Sequence, residues 1–258
     1  MPSIASEHPI RPPSRLLLLA EARALWETAA GFALSPLLQL APRGDGHAVL
    51  VLPGLAAGDA TTALLRRYLN KLGYAAHGWG QGTNFGPRAG VEQGMVDLLR
   101  KLADDSGGKV SIVGWSLGGL YARMLASTQP EMVRGVVTLG SPFAGNVRST
   151  NAWRLYQFTS GQSVDDIGRM ELARATPPMP TTSIYSRSDG VVAWHCSLQA
   201  PGPQAENIEV LASHLGLGGH PAVLYAVADR LAQAEGAWRP FNRRRLGPLV
   251  YPAPAQPA

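Results

Sequence analysis

One pentapeptide in the chain has the residue types and spacing of a nucleophile: Gly114-Trp115-Ser116-Leu117-Gly118, a G-x-S-x-G pattern. The pattern alone is common, and its setting is what sharpens it. Apolar Val110 to Val113 leads in as a strand, while Leu117, Leu120, Tyr121, Met124 and Leu125 lead out at helical spacing. A strand, a sharp turn and a helix would hold the Ser116 hydroxyl in strained backbone geometry at the strand's end. Flanking side chains would clash there, and Gly114, Gly118 and Gly119 leave the room. The N-terminus of the following helix would add partial positive charge where an oxyanion develops. Such a serine offers attack on an acyl carbon. The competing interpretation is a glycine-rich turn with an inert hydroxyl.

The elements needed to position that turn are visible along the chain. Short apolar runs at 48–52, 74–77, 110–113, 135–139, 182–186 and 208–211 alternate with stretches of helical period. That alternation predicts an α/β chain with a mostly parallel sheet of about six strands and helices on both faces. Ser111-Ile112-Val113 opens a run that fits a strand buried on both faces. Asp59 is a candidate cap for a helix through Leu64, Leu65, Tyr68 and Leu69 that Gly73 would stop, and Val91 to Leu102 also has helical period. Residues 143–178 exceed what one crossover helix needs and carry Trp153, Tyr156 and Phe158, so they are assigned to a helical cap or lid. Ser14 is a plausible N-cap for an amphipathic helix ending near Ser35-Pro36. Its apolar face, with Leu18, Leu25, Trp26 and Phe32, is expected to dock on the body. Contact with a lipid interface is the less favoured reading, because the polar face lacks a Lys/Arg bias. Residues 1–13 are polar and Pro-rich, and the Pro-rich tail from 236 is expected to run extended over the surface.

Composition bounds the function classes. With 258 residues, 45% hydrophobic and 16% charged, the chain suits one soluble packed domain. The net charge of +5 is scattered except at Arg243, Arg244 and Arg245, and no aromatic residues interleave with that run, so nucleic-acid binding is not expected. The single cysteine, Cys196, excludes an intrachain disulfide and a Cys-rich metal framework. The leucine run Leu16 to Leu19 is interrupted by Glu21, Arg23 and Glu27, too soon for a signal or membrane segment, and a cytoplasmic protein is expected. No metal or organic cofactor is implied, since neither a ligand cluster nor a phosphate-binding loop is evident.

Four segments in order resemble the α/β-hydrolase family, and within it the small bacterial lipases and esterases. They are Val51-Leu52-Pro53-Gly54-Leu55, the turn Gly-Trp-Ser-Leu-Gly-Gly, Leu139-Gly140-Ser141-Pro142, and Ser213-His214-Leu215-Gly216-Leu217, spanning about residues 47–235. The family usually has His-Gly where this chain has Pro53-Gly54, a departure that leaves a main-chain donor intact. The resemblance implies an oxyanion hole from the N–H groups of Leu55 and Leu117, and a triad in the order Ser, acid, His. Asp189 follows the strand Thr182 to Ser186 in a run that looks like the acid loop of lipases. Asp165 and Asp166 fall in the presumed cap, and Glu206 and Glu209 lie in or beside the last strand, where carboxylates would face solvent. Of the histidines after Asp189, His214 lies just beyond the last strand in a segment that resembles the lipase histidine loop. His220 sits beside Pro221 as a helix cap, and His195 is too near Asp189 in sequence. Cys196 is expected to be buried and inert.

The implied chemistry is hydrolysis of a carboxylic ester through an acyl-enzyme. Trp79, in the loop Gly78-Trp79-Gly80-Gln81-Gly82, and Trp115 are assigned to an apolar substrate pocket. Two alternatives stay open on sequence: an acyltransferase or thioesterase using the same residues, and a non-catalytic binding protein on a hydrolase scaffold.

Overall fold

The computed structural model describes residues 10–145, 147–161 and 167–255. Strand β1 (Ala48–Leu52) explains why the apolar runs are continuous. All five of its residues are buried, and they alternate between two cores. Val49 and Val51 pack with helices α4 (Ala63–Lys71) and α9 (Pro221–Leu231) on one face. Ala48, Leu50 and Leu52 pack with α5 (Val91–Ser106) and α6 (Leu117–Thr128) on the other. The remaining strands are β2 (Ala75–Gly78), β3 (Val110–Trp115), β4 (Val133–Leu139), β5 (Thr181–Tyr185) and β6 (Ala205–Glu209). They form one sheet in the order β2-β1-β3-β4-β5-β6, and every neighbouring pair is parallel.

Register brings the loops of interest to one edge. Leu52 pairs with Gly114, and Trp115 pairs with Leu139. The chain therefore leaves β1, β3 and β4 at nearly the same height, at Pro53, Ser116 and Gly140. Ligand sites of open parallel sheets lie at this carboxyl edge.

Several expectations change. Strand β6 starts three residues before the apolar run, because Glu206 and Glu209 belong to it with satisfied carboxylates. Glu206 pairs with Arg230 at 2.6 Å, and Glu209, 7% exposed, accepts from Tyr185 Oη at 2.8 Å and from Arg187 Nε. Neither faces solvent as sequence suggested. Asp59 does not cap α4, whose N-cap is Thr62. Its carboxylate instead accepts from the Trp79 and Gly80 amides at 2.9 and 3.1 Å, pinning the loop after β2. The tail also departs from the surface: Tyr251 is 1% exposed and its hydroxyl donates to the Ala222 carbonyl at 2.7 Å. Arg243 to Arg245 remain exposed, in a single 3₁₀ turn.

The insertion contains α7 (Trp153–Ser160) and α8 (Ile167–Arg174), while Asp165 and Asp166 lie outside the described residues. Helix α8 packs on α6, and the fully buried Arg123 of α6 fixes its end. That guanidinium donates to the carbonyls of Ala173, Arg174 and Ala175 and to Gln199, with Phe143 stacked 3.9 Å from it. Burial lowers the Arg123 pKa to about 10, so the group is still charged at neutral pH. Helix α8 is thus tied to the body at its C-terminal end, and α7 packs on the α5/α6 core through Tyr156.

The N-terminal segment is broken into α1 (Arg15–Leu19), a 3₁₀ turn (Ala20–Arg23), α2 (Ala24–Ala33) and α3 (Ser35–Leu38). Ser14 caps α1 as expected, accepting from Leu17 N. The docking expected of this segment occurs, but not through its apolar face. Leu25 and Trp26 are each 79% exposed, and Phe32 is 58% exposed. Backbone closeness, carboxylates and, at the end of α3, the buried Leu38 hold the segment instead. A Cβ on Gly31 would collide with the Gly219 carbonyl, and one on Gly190 with that of Leu17. Among the described residues no helix is long and apolar enough to cross a membrane.

Candidate active site

Ser116 sits between β3 and α6 with φ +53°, and Ala56, in the loop after β1, has φ +55°. They are the only non-glycine residues among those described with positive φ, and both lie in the same cleft. Such conformations persist only when the surroundings impose them. For Ser116 the constraint is close packing: a Cβ on Gly114, Gly118 or Gly119 would strike the α6 backbone, the Leu52 carbonyl or Ser141 respectively. For the Ala56 loop it is the fully buried Asn84. Asn84 Nδ2 donates to the Pro53 carbonyl at 2.8 Å, its carbonyl accepts from Ala56 N at 2.7 Å, and its own amide donates to the Ala57 carbonyl at 2.8 Å. Nothing in the sequence around Asn84 signals this clamp, because its partners lie some thirty residues away.

The histidine and acid loops meet Ser116 from β6 and β5. His214 Nε2 lies 3.0 Å from Ser116 Oγ, and His214 Nδ1 lies 2.7 Å from Asp189 Oδ2. Asp189 is 3% exposed, and its other oxygen accepts from the Val191 and Val192 amides at 2.8 and 2.7 Å. The carboxylate is thereby aimed and the imidazole tautomer set, with Nδ1–H facing Asp189 and Nε2 free to accept from Ser116. Burial pulls the His214 pKa down. The Asp189 charge and hydrogen bond, with a smaller contribution from Glu21, outweigh it and leave the pKa raised above 6.5.

Leu55 and Leu117 both border the serine. The Leu117 amide opens α6, and Leu55 follows Gly54, where an added Cβ would lie 3.3 Å from Ser116 Cβ. The cleft measures about 460 Å³ and is mostly apolar, lined by Leu18, Leu55, Trp115, Leu155, Val191 and Leu215 among others. Trp115 lines this cleft, its indole donating to the His214 carbonyl at 3.1 Å. Trp79 does not. It is 1% exposed in the core under α5, its indole donates to the Gly82 carbonyl at 2.9 Å, and it does not reach the cleft. A Trp after a strand satisfied its burial and its N–H there, so packing decided its place.

The other candidates are occupied elsewhere. His220 caps α9 by accepting from Ala222 N, and exposed His195 stacks on Trp194. Cys196 is fully buried, and burial raises its thiol to about 11. Sequence reasoning missed Glu21 and Glu27. Glu21 accepts from the amides of Gly190, His214 and Leu215, and Glu27 from Ser213 N and Oγ.

A second row of Ser, His and Asp offers an internal comparison. At the opposite edge of the sheet, His47 Nε2 lies 2.9 Å from Ser111 Oγ and Nδ1 contacts Asp45. Ser111 is buried near the start of β3, at a register shift against β4, and lacks the strained turn and helix N-terminus of Ser116. The adjoining groove of about 480 Å³ mixes the charged Lys109, Glu131, Arg134 and Glu235 with apolar residues such as Val136 and Leu231, unlike the mostly apolar cleft at Ser116. Burial there lowers the His47 pKa despite the Asp45 bond. Hydrogen-bond connectivity alone therefore does not single out Ser116; the elbow and the apolar cleft do.

No family model matches the sequence. A pimeloyl-(acyl-carrier protein) methyl ester esterase of Yersinia pseudotuberculosis is 33% identical over 64 residues, covering 25% of this chain. The match spans 23% of that enzyme's length. In three dimensions, lipase B of Aspergillus fumigatus superposes with TM-score 0.62 at 16% identity, over 80% of this chain and 57% of its own. An alpha/beta superfamily hydrolase from Oenococcus oeni superposes with TM-score 0.52 at 16% identity, over 72% of this chain and 91% of its own. The chain has the α/β-hydrolase fold.

Proposed function

We propose that this α/β-hydrolase-fold chain is a serine ester hydrolase that works through an acyl-enzyme on an apolar carboxylic ester. The carrying observation is the Ser116–His214–Asp189 row converging at the base of an apolar cleft beside two main-chain amides. His214 takes the Ser116 proton as Oγ attacks the carbonyl carbon. The Leu55 and Leu117 N–H groups donate to the oxyanion that forms on the substrate, and His214 returns the proton to the departing alcohol. Water, deprotonated by the same imidazole, then releases the acid. Asp189 fixes the imidazole and stabilises its charged form. No step calls for a cofactor, and the cytoplasmic location expected from the sequence is kept as part of the proposal.

Cleft chemistry sets the substrate class. Leu18, Leu155 and Leu215 at the rim suit a hydrocarbon chain, and α7 supplies one wall through Ala152 and Leu155. A panel of p-nitrophenyl esters from acetate to palmitate tests this. Turnover should favour acyl chains longer than acetate and release free acid even with an added alcohol. Transfer of the acyl group to the alcohol would instead make the enzyme an acyltransferase. No turnover on any ester, together with no labelling by a fluorophosphonate, would return the chain to a binding role.

The Asn84 clamp gives a second expectation. Asn84→Ala leaves the buried Pro53 carbonyl without its donor, which costs about 1–3 kcal/mol of stability in urea unfolding. It also frees the Leu55 loop. Turnover should fall roughly tenfold at nearly constant KM, short of the 10²–10³-fold that deleting an oxyanion donor costs. A stability loss with unchanged kcat would remove Leu55 from the oxyanion site.

A further inference from the structure

We propose that Glu21 is a positioning residue of this site: the N-terminal segment carries its carboxylate between the acid loop and the histidine loop, binds both, and places a second negative charge beside His214. The inference rests on the triad reading above.

Its geometry is a three-point clamp. Glu21 Oε1 accepts from Gly190 N at 2.7 Å and from His214 N at 2.9 Å, and Oε2 accepts from Leu215 N at 2.8 Å. Gly190 follows Asp189 directly and Leu215 follows His214 directly, so one side chain ties the backbones of acid and base together. Those loops leave different strands, β5 and β6. Between the loops themselves, Ser188 Oγ donates to the Ala212 carbonyl at 3.1 Å and Ala212 N donates to Ser186 Oγ at 3.2 Å, both before the reacting pair; at Asp189 and His214 their mutual bond and the Glu21 clamp are the ties. The segment contributes no strand, yet its backbone is seated against the acid loop through the Leu17 contact with Gly190.

The carboxylate is 4% exposed and, among the described residues, no cation lies within hydrogen-bond reach of it; the neighbouring Arg23 is committed to Glu27 and Ser188. A buried charge held only by amides is costly. A neutral Gln of the same shape would present an NH₂ group to one of the three N–H donors, so the acceptor count favours Glu. The charge has an additional consequence, because it helps raise the pKa of His214 against burial. The other groups facing His214 are Asp189 from the acid loop and Ser116 from the elbow. Glu27 and Arg23 approach one residue away at Ser213 and Ser188, and His220 lies beyond on the α9 side.

The test compares Glu21→Gln with Glu27→Gln in the full chain, reading His214 directly by NMR titration and the ester reaction by its pH profile. Glu21→Gln should lower kcat about ten- to a hundredfold, the range of a misplaced catalytic group, with KM within about twofold. His214 should titrate at lower pH than in the wild type, and the acidic limb of kcat/KM should move the same way, because the base is neutral over a wider range. Glu27→Gln loosens the same docking through Ser213, yet should leave the His214 titration where it is. An unmoved His214 titration with wild-type kcat in Glu21→Gln overturns the inference, as does an identical response of both variants. If Glu21→Gln does not fold, Glu21→Asp keeps the charge and shortens the reach. It should lower kcat with little change in the titration, and wild-type kcat in it would also overturn the inference. The NMR arm needs no turnover. A wild-type protein without esterase activity would sink the proposed function, while the His214 titration still decides the role of Glu21.

Discussion

Ser116→Ala is expected to lower ester turnover on the order of 10⁶-fold while the protein stays folded. The change removes one oxygen and leaves the elbow intact, since the packing that imposes φ +53° comes from Gly114, Gly118 and Gly119. What survives is binding and the main-chain amides. His214→Ala should cost nearly as much, and the double variant little more than either single one. A proton acceptor has no use without the hydroxyl it serves, nor the hydroxyl without its acceptor. The second row makes the experiment sharper. Ser111→Ala removes a hydroxyl with the same kind of partners, 2.9 Å from His47, and should leave both turnover and fluorophosphonate labelling as in the wild type. His220→Ala should lose only the cap of α9, worth about 1 kcal/mol. Near wild-type turnover in folded Ser116→Ala, or labelling that disappears in Ser111→Ala instead, would place the nucleophile elsewhere.

What could be read from sequence followed the range of the interactions involved. β1 was legible because burial on two faces makes every residue apolar, and the elbow because its glycine pattern sits directly between an apolar strand and a helix of clear period, although Gly118 and Gly119 make room for the distant Leu52 and Ser141. The start of β6 was hidden by Glu206 and Glu209, whose pairing with Arg230, Tyr185 and Arg187 makes carboxylates acceptable in a strand that apolar periodicity would end. Trp79 and Asp59 were misassigned for a related reason. An aromatic near a glycine loop and an acid before a helix each have a local use, and here a bond between Asp59 and the Trp79 amide, twenty residues apart, took precedence. The N-terminal segment was the least legible. Its apolar stripe pointed to hydrophobic docking, whereas Glu21 and Glu27 reach partners 169 to 194 residues away and leave that stripe in solvent. No periodicity reports a carboxylate that binds backbone amides so far along the chain. A consequence is that removal of residues 1–40 cannot serve as a simple probe of lipid contact, because it also removes Glu21 from beside His214.

Asp189→Asn should lower turnover about 10⁴-fold with little change in KM, and the structure gives the reason atom by atom. Oδ1 of Asp189 accepts from the Val191 and Val192 amides, and that position can be filled by the amide oxygen but not by its NH₂ group. The NH₂ group is therefore turned toward His214 Nδ1, where the carboxylate oxygen had stood at 2.7 Å. It donates to Nδ1, so the neutral imidazole carries its proton on Nε2. Nε2, 3.0 Å from Ser116 Oγ, can then only donate to the hydroxyl it should deprotonate. Loss of the Asp189 charge acts in the same direction on the charged intermediate, because burial, which alone lowers the His214 pKa, is then opposed only by the smaller contribution of Glu21. The folded structure should persist, since the loop's two amide bonds survive, and a thermal unfolding scan checks this. Turnover within tenfold of wild type would mean that Asp189 is not the acid. Glu209 could not replace it in place, being held by Tyr185 Oη at 2.8 Å and by Arg187. The carboxylates left beside the histidine loop would be Glu21 and Glu27; Glu21 is the one bonded to His214 itself, and the Glu21→Gln variant would then show the 10⁴-fold loss instead.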